Sequence, residues 1–432
     1  MGLGLTLLSR PLKHGLLRRA PSAQRVAERL LKLAHGTDPL FRSLGRVVVD
    51  DDGSAMVFLY PTEEPVFVKV ERAQLGCNAR TSGAGPGYHA FVVELLDRLA
   101  EDLGTSWLPE APDAANSAED AGTFDETGYF THRDVARLQD EMLAWLRGLS
   151  GALTADRGEP IEGPFLVCMP VETELPSDLE FVTPLGARDR LWFLETSRAE
   201  GEALSDRGEE WFAWWGQGVD AIAVRNAGVA LLWSDVAWHP PLDDAEAEAM
   251  RRVLACFDRA QAIDRAVTLP DLELAELRTL VRADPADARP PAPNRLGLKR
   301  HELRRQLTGG WSLRLPGYWY LQDEDGSLQF WLGEREVHAT TFTIEGASRS
   351  HLIERERAQQ KTPSVLSFST DRMDVEGCLL ETGEDGLEHL QVVAAIDAGL
   401  CVLTLVYPAG DSAWAESVAR SLAPPPARRA NA

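Results

Sequence analysis

Residues 400–422 read LCVLTLVYPAGDSAWAESVARSL and hold the clearest folding pattern in the chain. The apolar run Leu400–Val406 has the length and composition of a buried strand. Pro408 and Gly410 break the run, and Ser412–Leu422 then has the pattern of a helix. A strand that turns directly into a closing helix predicts a sheet with helices packed on it.

Short strands are also expected upstream of this pair, starting at Trp311, and a polar helix over Ser350–Lys361 interrupts them. So many closely spaced strands with two helices predict an antiparallel sheet with the helices on one side, an α+β arrangement. The expected strands are Trp311–Leu315, Tyr318–Gln322, Leu328–Leu332, Thr340–Ile344, Val365–Ser369, Val375–Thr382, Glu388–Ala395 and Leu400–Val406.

This element order, with the opening segment WSLRLPGYW (residues 311–319) and the strand–helix pair at 400–422, resembles the PsbP/DcrB-like domain over about residues 305–424. Members of that fold are known mainly as binding modules: photosystem accessory subunits, a Ran-binding protein, and chaperones of type VI secretion effectors. The resemblance therefore implies a non-catalytic binding domain, and it assigns no functional residue to this sequence.

The rest of the chain predicts a mixed α/β region with hairpins and three amphipathic helices, followed by a linker. The segment ADPADARPPAP, with four prolines in eleven residues and no apolar periodicity, is the best domain boundary. The expected divisions are a basic N-terminal extension (1–40), an α+β domain (41–282) with an alternative break near 109–128, a Pro-rich linker (283–298), the PsbP/DcrB-like domain (299–424) and a tail (425–432).

Within residues 41–282 the expected elements follow from apolar periodicity and turn signals. They are a hairpin over Arg46–Val49 and Ala55–Leu59, a strand at Val66–Val70, helices over 88–99, 135–149 and 250–263, strands near 165–170, 179–183 and 191–194, and a second hairpin over 221–225 and 228–233. Thr131 and Asp134 resemble a capping box before the second helix.

The charge of the chain bears on its partners. The sequence has 67 acidic and 44 basic side chains, a formal charge of −23, which disfavours binding to nucleic acid because phosphate backbones are repelled. Residues 1–49 carry nine basic and two acidic side chains, a net +7, so residues 50–432 hold −30. We expect another protein as the partner, one with a basic surface, although solubility alone also explains such a charge.

Several classes of protein and site are disfavoured. No apolar run is long enough to span a bilayer. The five cysteines are odd in number and far apart, which is typical of a reducing compartment, so a cytoplasmic location is expected. The excess of arginine over lysine and the many alanines indicate a bacterial gene. The nine histidines show no metal-ligand spacing, so no metal and no cofactor are expected.

The loop TSGAGPGYH (residues 81–89) leads directly into the first amphipathic helix. Backbone N–H groups at a helix start attract anions, and the glycines allow a ligand to approach closely. The alternative is a tight strand-to-helix turn, since the pattern is neither GxGxxG nor a P-loop. The candidate ligand or anion residues are Arg80, Ser82, Gly83, Gly85, Gly87 and His89.

Six of the twelve tryptophans fall within 47 residues, from Trp192 to Trp238. Large aromatic rings dominate both cores and interface hot spots, so an aromatic core and a partner surface are the two interpretations. The candidate partner-binding residues are Trp211, Trp214, Trp215 and Trp238.

These patterns favour a non-catalytic protein-binding protein of a bacterial cell, such as an immunity protein, chaperone or adaptor in a secretion or conflict system. No catalytic residues are assigned, because Cys77 and His89 lack any visible activating group. One alternative is an enzyme with a site around residues 80–89, which a cleft with perturbed carboxylates at the helix start would favour and an exposed convex loop would exclude. The other is a structural subunit of a larger complex.

Overall fold

The structure, a computed structural model, describes residues 2–12, 21–110, 122–155, 165–168, 180–292, 296–380 and 386–426. The chain divides into two compact units. The first comprises Met1–Val171, Ser177–Val236 and Glu248–Ala275, and the second comprises Glu172–Pro176, Ala237–Ala247 and Glu276–Ala432. Much of the predicted loop 109–128, part of the predicted linker and most of the predicted tail lie outside the described residues.

The first unit is built on an antiparallel sheet of six strands in the order β2-β3-β4-β5-β1-β6. The predicted hairpin and third strand are confirmed. The strands are β1 (Gly4–Leu8), β2 (Arg46–Val49), β3 (Ala55–Phe58), β4 (Val66–Glu71), β5 (Gln74–Arg80) and β6 (Phe124–Asp125).

Strand β1 lies inside this sheet, within the segment that the sequence predicted to be a basic N-terminal extension. Leu5 and Leu7 are buried, with the period of two that a strand requires, and Leu7 lies opposite Cys77 of β5. The segment Leu3–Leu8 has only four leucines, interrupted by Gly4 and Thr6, and this pattern is too short to identify such a strand. Residues 2–12 are therefore part of the first unit's core rather than an appendage.

The helices of the first unit's N-terminal half pack on this sheet and on one another. Helix α1 contacts β3, β4 and α3, and it buries Val26, Leu30 and Ala34 at four-residue steps. Asp134 caps α5 through its side chain, which accepts a hydrogen bond from the Arg137 N–H. The helices are α1 (Ala23–Thr37), α2 (Leu40–Leu44), α3 (Pro86–Asp102), α4 (Tyr129–His132) and α5 (Val135–Thr154).

Further along the chain a small sheet and five helices follow. The elements are β7 (Phe165–Leu166), β8 (Phe181–Thr183), β9 (Gly186–Arg188), α6 (Arg190–Arg198), α7 (Gly201–Trp211), α8 (Ala221–Ser234), α9 (Asp244–Ile263) and α10 (Asp271–Leu280). The predicted strand at 191–194 is wrong, because Asp189 caps a helix there by accepting from the Trp192 N–H.

The predicted hairpin over 221–233 is also wrong, because the segment forms helix α8. Asp220 caps it by accepting a hydrogen bond from the Ala223 N–H at 2.7 Å. Ten of its fourteen residues are buried, and the less buried Ile222, Arg225 and Val229 lie along one narrow side. Two of these three residues are apolar, so the sequence shows no polar face and cannot be distinguished by periodicity from a pair of buried strands.

The second unit contains an antiparallel sheet, as predicted, with seven strands in the order β12-β13-β14-β18-β17-β16-β15. The first predicted strand, Trp311–Leu315, lies outside this sheet, in the separate pair β10–β11. The strands are β10 (Glu302–Gln306), β11 (Ser312–Pro316), β12 (Tyr320–Glu324), β13 (Ser327–Leu332), β14 (Arg335–Thr343), β15 (Ser364–Ser369), β16 (Asp374–Leu379), β17 (Leu387–Ile396) and β18 (Gly399–Pro408). The helices are α11 (Arg349–Gln359) and α12 (Ser412–Arg420).

The two helices of this unit lie on opposite faces of the sheet, where one side was predicted for both. Helix α12 packs on the face that carries Val392 and Leu403. Leu352 of α11 packs with Val393 and Leu400 on the other face. Successive residues of a strand point to opposite faces, so Val392 and Val393 separate the two layers. The chain as a whole is an α+β protein.

In the part of the chain that the structure describes, no helix combines the length and the apolar character needed to cross a membrane.

Candidate functional site

The predicted glycine-rich loop forms a tight turn from β5 into α3. Gly85 has φ +111, and a Cβ there would come within 2.6 Å of the Phe212 side chain. A Cβ on Gly87 would overlap the carbonyl oxygen of Gly216. The loop is bound to the same segment by the backbone N–H of Trp214, which donates a hydrogen bond to the Ala84 carbonyl oxygen at 2.8 Å. Gly85 and Gly87 thus permit close packing inside the unit and do not face a ligand site.

His89 is fully buried and belongs to a closed hydrogen-bond network. Its Nδ1 lies 2.8 Å from Thr81 Oγ1, and its Nε2 lies 3.3 Å from Asp125 Oδ2 and 3.2 Å from Thr127 Oγ1. Burial raises the pKa of the Asp125 carboxyl, but hydrogen bonds from His89, Phe130 and Thr127 outweigh it, so this pKa lies below its usual value.

The order hydroxyl–imidazole–carboxylate in this network is that of a nucleophilic triad. Thr81, however, has no exposed surface, and His89 has none either. The network joins the end of β5, the start of α3 and β6. The network therefore holds these three elements together in the folded chain. Its hydroxyl group is buried and is not accessible to a substrate.

The anion-attracting position at this helix start is occupied by the protein's own carboxyl group. The Ala84 N–H donates to Glu63 Oε1. Burial raises the pKa of Glu63 to about 8, although the N–H groups of Ala84 and Gly83 oppose this rise. Glu63 was not predicted, because nothing in the sequence distinguishes it from the other acidic residues.

Glu63 lines a cavity of about 360 Å³, which we call the Glu63 cavity. One wall is polar and comes from the loops around residues 62–64 and 80–83 together with Gly2; the other is largely apolar and comes from α5 and the segment 165–168. The lining residues are Gly2, Thr62, Glu63, Glu64, Arg80, Ser82, Gly83, Trp145, Leu149, Leu153, Phe165, Val167 and Cys168. Three predicted residues, Arg80, Ser82 and Gly83, are thus brought together here.

Most polar groups on the polar wall already have partners. Arg80 forms an ion pair with Glu64 at 3.1 Å, and both side chains are about half exposed. Ser82 Oγ accepts a hydrogen bond from the Leu3 N–H at 3.0 Å. Glu63, in contrast, forms no ion pair with any described residue. Among the described residues, therefore, no cation pairs with this carboxyl group of the cavity.

Cys168 is the thiol among the residues that line the cavity. Burial raises the pKa of its thiol to about 12. At neutral pH the thiol is protonated, and the protonated form is a poor nucleophile. The same effect of burial raises the pKa of Cys77 to about 12.

The four predicted tryptophans lie mainly in cores. In the first unit Trp214 has no exposed surface, Trp211 has 2%, and Trp215 is half-buried and stacks on Phe212. In the second unit Trp238 is fully buried, with the Arg300 guanidinium 3.3 Å from its ring centroid. A partner that binds the folded chain reaches none of the three fully buried rings.

The described residues contain no group of three or more His, Cys, Asp or Glu side chains arranged to hold a metal ion. No family model matches the sequence, and no curated protein matches it.

Two solved structures show weak similarity. One is a protein from Bacteroides thetaiotaomicron VPI-5482, 16% identical with a TM-score of 0.23, over 27% of this chain and 46% of that one. This chain thus spans about half the length of the Bacteroides protein. The other is PsbP (CyanoP) from Synechocystis sp. PCC 6803, 14% identical with a TM-score of 0.22, over 28% of this chain and 90% of that one. The predicted PsbP/DcrB-like resemblance has support only as this weak similarity of fold, and we draw no functional argument from it.

Proposed function

We propose that the chain is a binding protein and that its Glu63 cavity receives a basic group carried on an apolar stem. The observation that carries this proposal is the buried Glu63 carboxyl, which no described cation balances, in a cavity that Trp145, Leu149 and Phe165 also line. A cavity of about 360 Å³ is within the range that takes small ligands.

The energetics favour a cationic ligand. An ionised carboxylate is costly to bury without a partner. In the unliganded chain the pKa of Glu63 is therefore about 8, and the carboxyl group stays protonated at neutral pH. A bound ammonium or guanidinium group supplies the missing charge and lowers that pKa. Binding near neutral pH should therefore release a proton. The apolar stem then covers Leu149 and Leu153, and a cation close to the Trp145 ring gains a cation–π contribution.

The source of the basic group that we favour is another protein with a basic surface. Residues 50–432 carry a net charge of −30, which attracts such a partner and steers its approach at low salt. A lysine or arginine side chain has the required shape, with a polar head on an apolar stem. Binding of such a side chain of a partner protein is the kind of activity expected of an immunity protein, a chaperone or an adaptor.

A calorimetric titration with N-acetyl-arginine methylamide tests the proposal, with N-acetyl-norleucine methylamide as the uncharged probe. We expect the arginine probe to bind at least about tenfold more tightly, to release protons, and to lose about tenfold in affinity in Glu63→Gln. Glu71→Gln is the matched control, because Glu71 is an exposed carboxylate on β4 outside the cavity. Equal affinity for the two probes, or an unchanged affinity in Glu63→Gln, would contradict the proposal.

An enzyme is the second candidate, because a cavity with a perturbed carboxyl at the start of α3 is the arrangement that favours one. A carboxyl with a pKa of about 8 can donate a proton to a leaving group at neutral pH. Mass spectrometry of bound ligands distinguishes the two functions. Ligands recovered unchanged from an excess over protein support binding alone, whereas conversion that Glu63→Gln abolishes supports the enzyme.

A further inference from the structure

A second cavity of the first unit, of about 240 Å³, is lined by two arginine side chains. It lies beside the start of β2, the end of β3, the segment 60–63, the end of α8 and α9. We call it the arginine cavity. Its lining residues are Leu44, Arg46, Phe58, Tyr60, Pro61, Thr62, Glu63, Pro184, Ala230, Leu231, Ser234, Asp235 and Arg252.

Among the described residues the two arginines have no carboxylate partner. The side chains of Arg46 and Arg252 form no ion pair and no hydrogen bond with another described residue, in a chain that has more acidic than basic side chains. Arg46 lies opposite Phe58 in the β2–β3 register, and its guanidinium carbon is 4.2 Å from the Phe58 ring centroid. Stacking on the ring leaves the N–H edge of the guanidinium free to donate to a ligand.

A buried hydroxyl group points to the same conclusion. Thr62 is 3% exposed, and its Oγ1 is buried with no hydrogen-bond partner. Buried hydroxyl groups normally form a hydrogen bond, and those that do not are unusual enough to need an explanation. A ligand oxygen in the cavity would accept a hydrogen bond from this hydroxyl.

The negative groups around the cavity are Asp235 and Glu63, together with the carbonyl end of α8. Asp235 is exposed and accepts a hydrogen bond from the Ser234 hydroxyl at 2.7 Å. The Glu63 carboxyl is directed at the Ala84 N–H. The two guanidinium groups therefore exceed the exposed carboxylate by one positive charge when Glu63 is protonated.

We propose that the arginine cavity binds an oxyanion, with Arg46, Arg252 and Thr62 as its donors. A phosphate or a carboxylate suits this donor set, because a guanidinium group binds either through paired N–H groups. Phe58, Leu44 and Leu231 offer an apolar surface beside the donors for the body of the ligand. This site is separate from the proposed binding of a basic group, although Thr62 and Glu63 line both cavities.

Titrations with inorganic phosphate and with benzoate test the inference and distinguish the two sources of the oxyanion. We expect at least one of them to bind, and the affinity to fall about tenfold in Arg252→Gln and in Arg46→Gln and severalfold in Thr62→Val. Arg251→Gln is the matched control, because Arg251 is the neighbouring exposed residue of α9 and pairs with Glu248 at 3.0 Å.

Each outcome of this experiment is informative. Stronger binding of phosphate identifies a phosphorylated ligand, and stronger binding of benzoate identifies an apolar carboxylate. No binding of either anion, or equal binding by Arg252→Gln and Arg251→Gln, overturns the inference. Thermal unfolding of each variant shows that it is folded. Binding of the arginine probe by Arg252→Gln is expected to be unchanged, so a failure here is distinguishable from a failure of the proposed function.

Discussion

The backbone N–H of Ala84 donates a hydrogen bond to the carboxyl group of Glu63, twenty-one residues earlier in the chain. The donor belongs to the loop at the start of α3, where a free anion would otherwise be attracted. The contact explains why the glycine-rich loop needs no external anion. It also places a carboxyl group with a raised pKa on the walls of two cavities.

We expect the unfolding free energy of the wild-type chain to fall as the pH rises, and we expect Glu63→Gln not to show this fall. Burial raises the pKa of Glu63 from 4.5 to about 8, so the folded chain holds a proton that the unfolded chain has lost in this range. The associated stability is complete below pH 4.5 and is lost as the pH rises through about 8. The unfolding free energy of Glu63→Gln relative to wild type should therefore rise by on the order of 4 kcal/mol across this range.

Urea unfolding of wild type and Glu63→Gln at pH 5 and at pH 9 measures this difference, because pH 5 lies near the lower end of the range and pH 9 lies about one pH unit above its upper end. Glu71→Gln is the control, because Glu71 is exposed and lies outside both cavities. A difference between Glu63→Gln and wild type that is the same at both pH values would contradict the prediction.

His89→Ala should destabilise the first unit by about 2–4 kcal/mol, because it leaves Asp125 and Thr81 buried without their shared partner. Chemical denaturation measures the loss. His132→Ala is the matched control, since His132 is exposed and the change should be nearly neutral. A loss of similar size in the two variants would mean that the network does not stabilise the first unit.

Gly85→Ala should cost roughly 2 kcal/mol or more, because Gly85 has φ +111 and an added Cβ would meet the Phe212 side chain. Gly148→Ala, on α5, is the opposite case. A Cβ there has nothing within 4 Å, so the change should stabilise the chain by about 0.5–1 kcal/mol. Melting temperatures of the two variants should move in opposite directions, and a shift in the same direction would argue against this account of the loop.

Cys77 and Cys168 should resist alkylation in the folded chain at neutral pH, because burial raises the pKa of each thiol to about 12. Iodoacetamide labelling followed by peptide mass spectrometry measures the rates. Both residues should label rapidly in urea. Rapid labelling of Cys168 in the native state would show an activated thiol and would favour the enzyme over the binding protein.

The sequence predicts the second unit well and the first unit only in part. The strands of the seven-stranded sheet alternate or form short apolar runs that end at clear turns, as at Asp325–Gly326 between β12 and β13. Helix α8 has no polar face and strand β1 has only five residues, so their patterns fit more than one structure. The strands of the seven-stranded sheet can therefore be predicted from local sequence patterns, whereas the structure of α8 and β1 depends on their burial in the folded unit.

The candidate site was located only in part from sequence because it depends on contacts between distant segments. Arg80, Ser82 and Gly83 were identified from the loop and helix that contain them. Glu63 and Trp145 join them in the cavity only through the fold. The loop was a candidate anion site, with a tight strand-to-helix turn as the alternative, and the structure shows such a turn with a carboxyl group of the chain at that position. No sequence pattern specifies which of 67 acidic side chains meets a given helix start.

The most direct test of the central claim is the titration of the Glu63 carboxyl carbon by NMR in a chain with ¹³C-labelled glutamate, assigned by its absence in Glu63→Gln. We predict that this carbon titrates with a pKa of about 8 in the free chain. Saturation with N-acetyl-arginine methylamide should lower that pKa. A resonance that titrates near 4.5 in the free chain, or one that the arginine probe leaves unchanged, would contradict the account.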